Sequence, residues 1–249
     1  MISKAKIKYI RSLELKKHRN AENVFVAEGP KVVGDLMTIA APTLLIHTAH
    51  WMPVAVPPGT EELLVSDDEL RKVSFLQHPQ DVLAVFSLPT PSATLPDASH
   101  ALILALDGVQ DPGNLGTIIR IADWFGIEQI VCSPDTADAY NPKVIQATMG
   151  SIARVSVTYT DLAQYLTTLP ADTPIYGTLL DGDSIYTTPL TAHGIIVMGN
   201  EGKGISTPIR RLITHRLLIP NYPVGHPTTD SLNVAILDLS LTTRYWLSR

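Results

Sequence analysis

Beyond residue 100 the chain alternates short, nearly unbroken apolar runs with helix-length segments, and this alternation narrows the fold more than any other feature. Ala101 to Leu106, Gln129 to Ser133, Arg154 to Tyr159, Ile175 to Leu179, Ile195 to Met198 and Leu217 to Ile219 read as strands. Leu115 to Phe125, Val144 to Met149, Asp161 to Leu169 and Leu232 to Trp246 read as helices. Apolar strands separated by helices imply an α/β fold with a mainly parallel sheet covered on both faces. Such a sheet gathers its functional groups in the loops at the carboxyl ends of its strands.

Upstream, Asn23 to Ala27, Thr43 to Thr48 and Val82 to Leu88 read as strands, and Lys31 to Ile39 and Glu69 to Leu76 as helices. Pro89, Pro91 and Pro96 crowd one stretch that can sustain neither helix nor central strand, so it reads as a semi-rigid linker. The expected organisation is a small α/β domain over 1–90, a linker over 91–99 and a larger α/β domain over 100–249. With 45% hydrophobic and 17% charged residues, the chain has too much apolar content for a disordered protein. The single cysteine, Cys132, excludes an internal disulfide and a multi-cysteine zinc site, and its place after an apolar run marks it as a small buried hydrophobe. The eight histidines show no metal-ligand spacing, so no metal is expected, and His215 and His226 read as loop or surface residues. No apolar run approaches the roughly 20 residues of a membrane span, and the N-terminus is basic rather than apolar. A soluble, cytoplasmic protein with no membrane partner is expected.

The formal net charge of −5 conceals an asymmetry. Residues 1–19 hold Lys4, Lys6, Lys8, Arg11, Lys16, Lys17 and Arg19 against Glu14, a net +6, which leaves −11 on the remaining 230 residues. Ile2, Ile7, Ile10, Leu13 and Leu15 recur near helical spacing, so this arm reads as a helix. A basic arm on an acidic body fits a local polyanion-binding surface, and it equally fits a solvated helix face.

Three loops carry the chemistry. The first, Asp107 to Arg120, follows a strand and opens a helix; Gly113 and Gly116 permit close backbone approach, and Asn114 is placed to cap the helix. Arg120 lies among Ile118, Ile119, Ile121 and Ala122, positions expected to be buried, where a guanidinium needs an anionic partner. The second, Gly199 to Ser206, offers glycine-rich main chain around one carboxylate, Glu201. It is not a phosphate loop, because Val197 and Gly204 stand where that motif needs Gly and Ser/Thr. The third runs from Ile219-Pro220 to Ser231-Leu232-Asn233-Val234, with Ser231 or Asp230 read as helix cap and Asn233 standing where helices disfavour Asn.

Together these loops resemble the three motifs of the SpoU (TrmH-type) family of RNA 2′-O-ribose methyltransferases, in the knotted SPOUT superfamily. The first family motif, N-x-G-N-x-G-x-x-x-R, is similar to Asp111-Pro-Gly-Asn-Leu-Gly-Thr-Ile-Ile-Arg120; the second, G-x-E-G-x-G, to Gly199–Gly204; the third to Ile219-Pro220 and Ser231–Val234. Arg19–Ala27 and Glu28-Gly29-Pro30-Lys31 are similar to the family's small RNA-binding domain. The resemblance implies a C-terminal deep trefoil knot holding S-adenosylmethionine, with Gly199, Ile219 and Leu232 lining the donor and Leu179 and Pro220 beside them.

It further implies that Asn114, Arg120, Glu201, Ser231 and Asn233 form the active site and that the protein works as a homodimer on RNA, ribosomal RNA favoured over transfer RNA. The sulfonium is already a good electrophile, so the displacement needs orientation and proton removal and no metal. A guanidinium with pKa above about 12 is a poor base, so Arg120 is read as a fork for ribose oxygen and phosphate, positioned by Glu201, Ser231 and Asn233, with the proton passing to phosphate or water. The sequence departs from the pattern at Asp111, where the family has Asn, and in the long proline-bearing loop from Pro220 to Ser231. It departs again at Asp238 in the last helix, which this reading sets against a dimer partner. The alternative is a non-catalytic RNA-binding member of the same fold; a dehydrogenase lacks its glycine fingerprint here. Trp124 and Trp246 read as core, and Tyr140 as turn packing.

Overall fold

The computed structural model describes residues 1–52, 55–90, 94–221, 233–235, 240 and 242–243. The chain divides into two compact units, Met1–Thr90 with Asp138–Ala153, and Pro91–Ala137 with Arg154–Arg249. Residues 138–153, expected inside the C-terminal domain, thus pack with the N-terminal unit.

In the first unit the basic arm forms two helices, α1 (Lys4–Ser12) and α2 (Lys16–Glu22), where the spacing predicts one. The break has a physical reason. Arg19 of α2 is 1% exposed and donates through Nη1 to the carbonyls of Leu13 (2.8 Å) and Glu14 (2.6 Å), satisfying the chain end that α1 leaves open. Its Nη2 pairs with Asp138 at 2.5 Å, tying the inserted segment to this unit. The sheet follows as β1 (Val24–Glu28), β2 (Leu44–His47), β3 (Glu61–Leu64) and β4 (Val82–Ser87), in the order β1-β4-β2-β3. All pairs are antiparallel except β2–β3. Between the strands lie α3 (Pro30–Met37) and α4 (Asp67–Val73). β3 escapes a reading of the sequence because Glu61-Glu62-Leu63-Leu64 has no alternating pattern; it is a mostly exposed edge strand. Ile10, Leu13, Val26, Ile46, Leu83 and Val85 form the core.

The second unit begins with β5 (Leu102–Asp107), α5 (Pro112–Trp124) and β6 (Gln129–Cys132). The chain then passes through α6 (Pro142–Thr148) of the first unit and returns as β7 (Ser156–Tyr159), α7 (Leu162–Thr167), β8 (Ile175–Ser184), β9 (Gly194–Gly199), α8 (Thr207–Arg210) and β10 (His215–Leu218). The six strands stand in the order β10-β8-β9-β5-β6-β7, and every pair is parallel. Their central members are buried throughout, as continuous apolar runs require. From β5 the chain builds outward to β7 and then crosses to the other side, so β5 and β9 meet where strand order reverses, the place where such sheets bind ligands. Against β10, β8 slips register: Arg216 pairs with Gly177 and Leu217 with Asp183, leaving Thr178–Gly182 bulged out.

Val234 and Ala235 are helical, while most of the helix expected from Leu232 to Trp246, with Asp238, lies outside the described residues. No described helix is long and apolar enough to cross a membrane.

Candidate active site

The loops after β5 and β9 meet at the strand-order reversal, and Glu201 joins them. Its carboxylate accepts from the backbone N–H of Gln110 and Asp111, both at 3.3 Å, and from Asn114 Nδ2 at 3.0 Å. A carboxylate can only accept, so Asn114 must turn its amide nitrogen to Glu201 and its oxygen away. That oxygen receives Asn233 Nδ2 at 2.9 Å, and Asn233 Oδ1 in turn receives Ala235 N–H at 2.9 Å. One ionised group thereby orients a relay of two amides running from the second loop through the first to the helix of the third. Burial pushes the Glu201 pKa up, but the bonds from Asn114 and the backbone N–H groups outweigh it and hold the carboxyl below its ordinary value.

The cap of α5 is Asp111 rather than Asn114: its Oδ1 accepts Asn114 N–H at 2.8 Å, with Pro112 in the first turn. Asp followed by Pro starts a helix well, because Asp supplies the capping acceptor and Pro a preset φ. The carboxylate that departs from the family pattern is thus engaged by its own helix.

Arg120 is exposed rather than buried, and among the described residues it has no hydrogen-bond or ion-pair partner. Six residues separate it from Asn114, which at 3.6 per turn sets the two about 120° apart around α5. The expected positioning of Arg120 by Glu201 and Asn233 therefore involves no direct contact. Trp124, one turn further on, is 85% exposed and is not the core residue expected, because it falls on this same outward face while Ile118, Ile119 and Ala122 take the inner one. Ser231 and Leu232 lie outside the described residues, as do Trp246 and His226.

Beside Glu201 opens a cavity of about 570 Å³, within the range of small-molecule sites. Gly199, Leu179 and Ile219 line it, as do Leu217, Leu218 and Val234; Pro220 is not among its walls. The Thr178–Gly182 bulge supplies one side, so Leu179 owes its place to the slipped register between β8 and β10. That slip leaves no mark in the sequence, whose apolar run predicts a strand ending at Leu179. Asp181 in the bulge is clamped by Arg210 (2.8 Å) and Arg216 (2.9 Å).

The glycine loop grips less freely than its composition implies. Gly202 N–H and Lys203 N–H both donate to Asn200 Oδ1 at 3.0 Å, and Gly204 N–H donates to Asn200 O at 2.8 Å. These donors serve the loop itself. At Gly199 a side chain would meet the Gly204 backbone at 2.2 Å, so only glycine fits. The cavity nonetheless suits an adenosyl group bearing a cationic sulfonium: aliphatic walls for a purine, with the Glu201 carboxylate at one side.

Elsewhere, Cys132 is buried, which pushes its thiol pKa up. In the first unit the Tyr140 ring packs 5.0 Å from that of Phe25, and burial, then the charge of Asp138, pushes its pKa to about 12.

Comparison with known proteins accords with this geometry. Residues 101–236 match the profile of the SpoU rRNA Methylase family, and residues 4–84 that of an MRM3-like substrate binding domain. The chain is 31% identical to the 23S rRNA (guanosine(2553)-2′-O)-methyltransferase RlmP of Bacillus subtilis, over 93% of this chain and 92% of that one. A solved protein of Porphyromonas gingivalis, described as a TrmH-family RNA methyltransferase, superposes with a TM-score of 0.89 at 38% identity, covering 98% of both chains. An rRNA methyltransferase of Sinorhizobium meliloti, solved with AdoMet bound, gives 0.83 at 27% identity over 98% of this chain and 96% of that one.

Proposed function

The chain belongs to the SpoU rRNA methylase family, and from that premise we propose that it transfers the methyl group of S-adenosylmethionine to a ribose 2′-hydroxyl of ribosomal RNA. The observation that carries the reading is the convergence on Glu201 of the loops after β5 and β9, at the edge of a cavity of about 570 Å³. S-adenosylmethionine, when bound, supplies a methyl group already activated for displacement. Gly199, Leu179 and Ile219, with Leu232, would hold it. Ile219 and Val234 both line the cavity although fourteen residues lie between them in the sequence, which supports a C-terminal segment returning through the fold as a trefoil knot.

The residues then divide the work. Glu201, held below its ordinary pKa by four hydrogen-bond donors in all, its own N–H included, is a poor base and serves to orient Asn114. Asn114 keeps a second amide hydrogen with which to hold a ribose oxygen, and Asn233 steadies its other face. Arg120 docks ribose oxygen and phosphate, and the role the resemblance implies for Ser231 is to help position Arg120 and the ribose. The bound donor would supply the methyl carbon, its carbon–sulfur bond breaking so that sulfur leaves as a neutral thioether, and the 2′-hydroxyl proton would pass to phosphate or water. Arg120 stands free among the described residues of the single chain, so a homodimer with its site near the interface is part of the proposal, as is a cytoplasmic setting among ribosomes. No membrane or metal partner enters the scheme.

The test is to incubate the protein with the labelled methyl donor and ribosomal or transfer RNA, then map ribose methylation. Methylated ribosomal RNA, lost with Arg120→Ala by about 100-fold or more, is the expected result. Near-normal transfer by Arg120→Ala would sink the assignment, and monomers alone by light scattering would sink the dimer.

A further inference from the structure

We propose that Asn200 is a positioning residue for methyl transfer, acting through Glu201, with Asp107 as its counterpart at the far end of the same loop. The inference rests on the function proposed above and adds the groups that hold its central carboxylate in place.

Glu201 sits near the tip of a tight turn, Gly199-Asn-Glu-Gly-Lys-Gly204, closed by a backbone bridge between Asn200 and Gly204. Glycines lose the most backbone freedom on ordering, so a turn with this many has little intrinsic stiffness. The two backbone bonds that Glu201 receives from Gln110 and Asp111 are long, at 3.3 Å each, beyond the usual span for N–H···O bonds. They follow the register of the loop and do not set it.

The Asn200 side chain supplies that register. Its Oδ1 uses both lone pairs on Gly202 and Lys203 N–H, which fixes the shape of the turn. Its Nδ2 donates to Gly108 O at 2.8 Å, which ties the turn to the loop after β5. Gly108 is itself immobilised: at φ +72° it donates its N–H to Ser133 Oγ (2.8 Å) and Thr136 Oγ1 (3.2 Å), from the loop after β6. A Cβ at Gly108 would come within 2.9 Å of Asp135 Oδ2. Three residues past Lys203, Ser206 N–H donates to the buried Asp107 carboxylate at 2.6 Å. The turn is therefore pinned at both ends to residues 107 and 108, immediately before the stretch whose donors meet Glu201.

Asn differs from Asp at this position in the Nδ2 donor and in carrying no charge, and the uncharged Asn200→Ser separates the two. Aspartate has the same shape and keeps the acceptor for Gly202 and Lys203, but it sets an oxygen against the Gly108 carbonyl. Asn200→Asp therefore removes the tie and leaves the turn.

The experiment uses the full chain with the methyl donor and ribosomal RNA. Asn200→Asp should lower kcat by about 10- to 100-fold while the KM for the donor stays within about threefold. Asn200→Ser, with a shorter acceptor and no amide, should give a similar loss and decides the matter if the aspartate variant does not fold. In a Glu201→Gln background the Asn200 substitution should cost less than about twofold, because residues acting through one another are not additive. A kcat within twofold of the parent, or losses that multiply in the double variant, would overturn the proposal. Hydrogen exchange at the Gln110 and Asp111 amides gives a readout free of turnover: Asn200→Asp should speed it, and unchanged exchange also overturns the proposal. A parent protein that transfers no methyl group, with exchange still faster in Asn200→Asp than in the parent, would count against the proposed function and for the tie.

Discussion

The two sheets of this molecule spend their polar groups in opposite ways. In the first unit, with its largely antiparallel sheet, three charged side chains are turned against the fold and paired there. Glu28 accepts from Ser74 Oγ and from Phe75 N–H at 2.8 Å, Arg11 donates to the Ser74 carbonyl while stacking on Phe75, and Arg19 disappears beneath two helix ends. In the second unit the central parallel strands β5 and β9 are nearly continuous apolar runs, and polar groups collect past their carboxyl ends, where Glu201, Asn114 and Asn233 engage one another and keep hydrogen-bonding capacity to spare. A polar group buried among its partners builds a scaffold, even where one atom such as Arg19 Nε is left without a hydrogen bond; one held in place at an open edge with capacity left over can do chemistry.

The largest effect expected from breaking this pattern lies in the first unit. Arg19→Ala removes one half of a buried pair and leaves the Leu13 and Glu14 carbonyls, with Asp138, short of a partner. Loss of one partner of a buried pair costs about 3–5 kcal/mol, to be read from urea denaturation. A loss under about 1 kcal/mol would mean that Arg19 is dispensable and that the inward use of charge is incidental.

Next comes the relay of the second unit. Asn114→Ala should lower kcat for methyl transfer by about 100-fold, with folding stability nearly unchanged because the residue is half-exposed on the first turn of α5. Asn114→Asp should do no better, since it faces the Glu201 carboxylate with a second acceptor that can donate nothing. A stability loss comparable with that of Arg19→Ala would erase the distinction between the units.

A smaller effect is expected from the exposed cations of the arm. Of its seven positive side chains, Lys6 pairs with Glu61, Arg11 with the Ser74 carbonyl and the Phe75 ring, and Arg19 is buried. Lys4, Lys8 and Lys17 are exposed and have no such partner among the described residues. Replacing these three with Gln should weaken RNA binding and flatten the dependence of log K on log salt by about 2 to 3, roughly one unit for each phosphate no longer neutralised. An unchanged slope would assign these lysines to solvent.

Much of this contrast is legible in the sequence, for reasons tied to particular elements. β5, β6 and β9 announce themselves because a strand covered on both faces must be apolar at every position. Asn114, Glu201 and Asn233 can be named from motif spacing, and the structure brings them into one relay. What escapes depends on partners distant in sequence. The +6 charge of residues 1–19 gives no hint that Arg19 turns inward, because its partners include Asp138, 119 residues away. The register slip that lifts Leu179 into the cavity wall is a relation between β8 and β10, written in neither strand alone. Arg120 is misjudged for a simpler reason: apolar neighbours on a helix show that one face is buried, and its own angle puts it on the other.

The smallest effect sharpens the comparison most, because its sign differs between the units. Glu28 is buried, which raises its pKa above the ordinary value near 4.5, with the bonds from Ser74 and Phe75 and the charge of Arg11 offsetting only part of that rise. Glu201 is lowered, its hydrogen bonds outweighing its burial. For a raised carboxyl the favourable contribution is present below the ordinary value and is lost as pH rises through the elevated one. For a lowered carboxyl it is present above the ordinary value and is lost as pH falls through the depressed one. Stability measured between about pH 3 and 7 for the parent, Glu28→Gln and Glu201→Gln should therefore diverge in opposite directions. The parent should lose ground to Glu28→Gln as pH rises, and to Glu201→Gln as pH falls. Slopes of the same sign would mean that the two carboxylates sit in equivalent environments, and the division between a buried scaffold and a poised site would have to be redrawn.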